Sequence, residues 1–121
     1  MPYAELDKDV LSVQNGKEGI LIVRDLGDIP GGRTLEVKNV ASGISVLEAG
    51  TLIIKNDEGA YEPWDGTSTG KTFVGVLKYG VLVSDPRAAI LTMGQVNGKA
   101  MPVAPTDEVK AGLPNIQFLY V

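Results

Sequence analysis

The 121-residue chain contains no cysteine and no histidine. Without cysteine there is no disulfide framework, no zinc–thiolate site and no thiol nucleophile. Without histidine the usual general base and the commonest metal ligand are both missing. Aromatic residues make up only 6% of the chain, which is thin for extended stacking surfaces. Positive charge is also short: 11 Lys and Arg stand against 15 Asp and Glu, for a net charge of −4. Phosphate contacts need a basic face, so a nucleic-acid partner is not expected. The longest unbroken aliphatic run is Ile20-Leu21-Ile22-Val23, far short of the roughly 20 residues of a membrane-spanning helix. The opening Met1-Pro2-Tyr3-Ala4-Glu5-Leu6-Asp7 does not read as a signal peptide. Synthesis and folding in a cytoplasm is therefore the expectation. These absences point away from an enzyme and towards a binding or structural part, with no metal and no cofactor.

What the chain does have is turns. Hydrophobic residues are 44% and charged residues 21% of it, with 15 glycines and 7 prolines. That composition is globular and turn-rich. Asn15-Gly16, Pro30-Gly31-Gly32, Asp65-Gly66, Ser84-Asp85-Pro86 and Asn97-Gly98 punctuate short β-type runs. The runs are Ile20–Val23, Leu35–Lys38 by alternation, Thr51–Ile54, Thr72–Val83 with Gly75 and Gly80 inside it, Ala89–Met93 ended by Gly94, and Ile116–Val121. Gly75 and Gly80 predict a bulge, a bend or a close backbone approach. One segment reads as helix: Thr106 caps it, Asp107 and Glu108 fill its first turn and Gly112 ends it. The expected fold is mainly β with a short helix, a sandwich-like or barrel-like body with an N-terminal arm. A composition shift near residues 41–48 divides an arm and β-hairpin region, 1–45, from a β-rich core domain, 46–121.

Few constellations suggest chemistry. Gly70-Lys71-Thr72 ends like a phosphate-binding loop. The first glycine of that motif would fall on Asp65, and Phe73-Val74-Gly75-Val76 continues as strand, where the motif requires a helix. Carboxylates fall in near pairs, Asp7/Asp9, Asp25/Asp28, Asp57/Glu58 and Glu62/Asp65. The last three sit beside Gly, Asn or Pro, and all read as solvated turns. Tyr61, Pro63 and Trp64 form an aromatic–proline cluster, read either as a stacking platform or interface anchor or as a lid on the core.

From Ala49 to Pro102 the chain resembles the head decoration proteins of tailed bacteriophages, the lambda-type capsid-stabilising family. The resemblance runs through Ala49-Gly50-Thr51-Leu52 and Gly59-Ala60-Tyr61 and centres on Pro63-Trp64-Asp65-Gly66-Thr67. Gly70, the strand Val74-Gly75-Val76-Leu77 and then Ala89–Val96 follow in order, as do the short helix and the closing apolar strand. The longer, more strand-like N-terminal region is closer to the related phage head fiber proteins. The resemblance implies a homotrimeric decoration-protein fold that sits on the outside of the mature capsid at three-fold positions and stabilises it. The partner is then the major capsid protein, and the location is the virion exterior after synthesis in the bacterial host cytoplasm.

Two surfaces are predicted on this basis. Leu11, Val13, Ile20, Leu21, Ile22 and Val23 lie in strands that read as unpaired, suited to adding a strand to a sheet edge of the capsid protein. Tyr61, Pro63 and Trp64 are expected at the trimer interface. The competing expectation is a carbohydrate-binding β module for host-surface glycans, resting on Tyr61, Trp64, Tyr79 and Tyr120.

Overall fold

The run Leu52-Ile53-Ile54 sets the architecture. Side chains alternate across a strand, so three consecutive buried residues require apolar cover on both faces of the sheet. A computed structural model describes residues 21–120 and shows that cover. Leu52 and Ile54 enter one hydrophobic cluster while Ile53 enters a second. The same division splits Val76 from Leu77 and Leu91 from Ile90.

The described chain is mainly β. Its strands are β1 Ile22–Asp28, β2 Arg33–Thr34, β3 Val46–Leu47, β4 Leu52–Lys55, β5 Tyr61–Pro63, β6 Thr72–Leu77, β7 Val81–Leu82, β8 Arg87–Ala88, β9 Ile90–Asn97 and β10 Ile116–Leu119. The main sheet runs β1-β9-β6-β4-β5, with β10 also pairing β9. All its pairings are antiparallel except β10 on β9, which is parallel. Strands β2/β8 and β3/β7 form two separate ribbons. Strands β1 and β5 lie at opposite ends of the main sheet, so the barrel-like closure expected from sequence does not occur.

One cluster is covered by the helix α1 Asp107–Gly112, a 3-10 turn at Gly98–Ala100 and β10, through Val109, Ala100, Met101 and Ile116. The other is covered by Leu35, Leu47 and Ala88 from the ribbons and their loops. The helix matches its expectation: Thr106 Oγ1 accepts from Val109 N–H at 3.4 Å, and Asp107 and Glu108 occupy the first turn.

Three strand expectations change. Leu35–Lys38 is loop: Leu35 is buried as alternation requires, but Val40 N–H closes a turn onto the Val37 carbonyl. The Thr72–Val83 stretch breaks after Leu77, and Val81–Leu82 joins another ribbon. The strand expected to end at Gly94 runs on to Asn97. Gly94 adopts φ 150°, and a Cβ there would lie 2.2 Å from the Arg24 carbonyl oxygen of β1. That glycine admits a neighbouring backbone instead of terminating its strand. Gly75 has the same role, since its Cβ would lie 2.1 Å from the Leu91 carbonyl oxygen.

Candidate functional site

Two places on the surface concentrate side chains beyond what folding needs: the corner around Trp64 and the edge strand β1.

The Trp64 corner is built by the sequence Pro63-Trp64-Asp65-Gly66-Thr67-Ser68. Trp64 packs edge-on against Phe73, with ring centroids 5.1 Å apart and planes at 80°, and rests on the first cluster. Its Nε1–H donates to the Ser68 carbonyl at 3.0 Å. Asp65 closes the loop by accepting from Thr67 N–H at 2.9 Å, Ser68 N–H at 2.8 Å and the Ser68 hydroxyl. Those bonds to Ser68, side chain first and backbone next, hold its carboxyl down at about 2 against an ordinary 3.8. Two residues further on, Gly70 N–H donates to Glu108 Oε1 at 2.9 Å, tying the loop to α1.

Beside this loop lies a cleft of about 400 Å³, whose wall includes Pro63, Trp64, Glu62, Asn39, Ile44 and Lys71. Glu62 is only 8% exposed. Its Oε2 accepts from Asn39 Nδ2 at 3.1 Å. Of the paired carboxylates, Glu62 and Asp65 thus have different roles: Asp65 is committed to its own turn, whereas Glu62 sits on a strand facing a cavity.

Tyr61, Pro63 and Trp64 do not form one platform. Tyr61 packs against the second cluster with the Arg33 guanidinium 5.2 Å from its ring centre, while Trp64 packs against the first. Pro63 and Trp64 line the cleft. Tyr79 and Tyr120, 56% and 48% exposed, lie elsewhere, each beside a lysine.

Of the expected capsid-contacting residues, Leu11, Val13 and Ile20 lie outside the described residues. Leu21 is fully buried in the first cluster and Ile22 pairs opposite Val96. The strand that reads as unpaired is therefore paired along one side, and its burial holds Leu21 and Ile22 in place. Val23 is 47% exposed, and Leu26, which the sequence reading missed, is 59% exposed. Both fall at register shifts against β9, where β1 carries an extra residue. Such bulges bend an edge strand and turn side chains outward. The charged surroundings of Leu26 read as a turn, so only the pairing reveals it.

The Asp25/Asp28 pair is not a solvated turn. Both carboxylates bind Lys78 Nζ, Asp28 at 2.9 Å. The Lys78 ammonium, its side chain 11% exposed, is pushed up to about 12 by these bonds, Asp25 first.

Among the described residues there is no group of three or more Asp or Glu placed to hold a metal, and no helix long and apolar enough to cross a membrane. No family model, curated protein or solved structure matches the chain.

Proposed function

We propose that this chain is a capsid decoration or head fiber protein, a homotrimer that docks on the outside of a mature phage capsid at three-fold positions and stabilises it. On this reading the two-cluster sheet with its short helix is a decoration-protein fold, and the major capsid protein is the partner. The observation that carries the reading is the placement of the residues behind the family resemblance. Trp64 seats on Phe73, Asp65 closes the loop that Gly70 ties to α1, and Gly75 admits the Leu91 backbone. Those residues form one connected scaffold, as expected if they specify a shared fold.

Strand β1 supports the docking mode. It ends the main sheet, it carries Val23 and Leu26 outward, and no described strand pairs its outer edge. An end strand with a free row of N–H and C=O groups can accept or donate a strand. A single small patch binds weakly. Joining three copies raises avidity by about 10²–10⁴-fold, and a three-fold assembly meets a three-fold lattice with equivalent contacts.

The test combines light scattering with binding to expanded phage heads. A three-subunit mass and saturable occupancy of the heads are expected. A monomer that leaves the heads bare overturns the reading.

A further inference from the structure

We propose that the cleft beside Trp64 is a saccharide-binding site, with Glu62 and Asn39 engaging neighbouring hydroxyls of one pyranose ring. The cleft holds about 400 Å³, within the range of small-ligand sites and large enough for one or two sugar rings. Its wall supplies what a sugar needs. Trp64 and Pro63 offer apolar surface for the C–H face of a ring.

The decisive group is Glu62. Burying a carboxylate is costly unless its oxygens are bonded. Oε2 accepts from Asn39 Nδ2 at 3.1 Å, and Oε1 has no donor among the described residues. No buried side-chain nitrogen or oxygen among those residues lacks a partner, so the free oxygen is not sealed in the core, and Glu62 lines the cleft. Asn39 keeps a second N–H and its carbonyl oxygen, since an amide carries two donors and one acceptor oxygen. Glu62 and Asn39 together thus present an acceptor and a donor side by side. Vicinal sugar hydroxyls, each both donor and acceptor, complement that pair.

Other ligand classes fit less well. A bare phosphate makes no use of the apolar surface that Trp64 and Pro63 give the cleft. A metal lacks the ligand group it needs here. Asp65 is spent on its own loop. Lys71, on the cleft wall, forms no ion pair with a described residue. An unpaired ammonium there favours a sugar carrying a carboxylate.

Trp64 is the single tryptophan, so its emission reports on the cleft. Purified full-length protein is titrated with the methyl pyranosides of glucose, galactose, mannose and N-acetylglucosamine, and with glucuronic and galacturonic acids. At least one probe is expected to give a saturable change in emission. Glu62→Gln and Asn39→Ala are expected to weaken it by about tenfold or more. Lys71→Ala, an exposed change that spares the fold, is expected to weaken the uronic acids more than the neutral sugars. A panel with no saturable response overturns the proposal. So does a response that survives both Glu62→Gln and Asn39→Ala, or a cleft that saturates with proline-containing peptides while ignoring every sugar. The titration contains no phage heads, so its failure leaves the docking proposal standing.

Discussion

Asp65 is exposed yet accepts four hydrogen bonds from Thr67 and Ser68, and these keep its carboxyl at about 2 in the folded chain against 3.8 ordinarily. A lowered folded value contributes stability that is present above about 3.8 and is lost as the pH falls through about 2. Asp65→Asn is therefore expected to lower the melting temperature at pH 6 and to flatten the acid limb between these values. Thermal melts across pH 2–6 check this, and an unchanged acid slope contradicts it. Gly75 gives a steeper prediction. Its Cβ would collide with the Leu91 carbonyl of the neighbouring strand, and backbone cannot swing aside as a side chain can. Gly75→Val is expected to cost about 3 kcal/mol or more, beyond the ~0.5–1 kcal/mol of a propensity change. Denaturant unfolding measures the difference.

At the scale of elements, β1 is held by two kinds of contact. Its backbone pairs with β9, and Lys78, beside the end of β6, draws in Asp25 and Asp28. Lys78→Met keeps the stem and removes the charge. It is expected to destabilise the fold by roughly 1–3 kcal/mol and to speed amide exchange in β1 more than in β4 or β6. Uniform exchange across the sheet contradicts it. The Lys78 value is raised from 10.5 to about 12, so the contribution is complete below 10.5 and fades as the pH rises through 12. Leu26 separates folding from attachment. It is exposed at a register shift, so Leu26→Lys is expected to leave the melting temperature within about 1–2 °C while reducing occupancy on phage heads. Retained occupancy argues that β1 is not the docking edge.

At the scale of the whole molecule, two apolar clusters flank one central sheet, and each is closed by elements distant in sequence. On the proposed reading, attachment depends on copy number. Deleting residues 1–19 is expected to lower head occupancy at a fixed protein concentration without altering the number of subunits in the assembly, read by light scattering. Undiminished occupancy removes the N-terminal region from the docking account.

The sequence by itself determined the class of this fold and its local devices. Turn pairs, short aliphatic runs and a capped six-residue helix are local patterns, and local backbone preferences read them directly; α1 and the Asp65 turn follow. The close approach at Gly75 was legible as a glycine inside a strand, but not which backbone came near; Gly94 read as a strand end, and only its pairing with β1 sets it inside β9. Tertiary structure alone decided the rest. Leu35–Lys38 alternates like a strand, yet no described strand forms a ladder with it, and a strand needs a partner. Leu21 and Ile22 look available for docking until β9 and the first cluster claim them. Asn39 meets Glu62 across 23 residues, a separation that leaves no trace in spacing. Contacts between remote segments depend on how the chain closes on itself, and one-dimensional periodicity does not encode that closure.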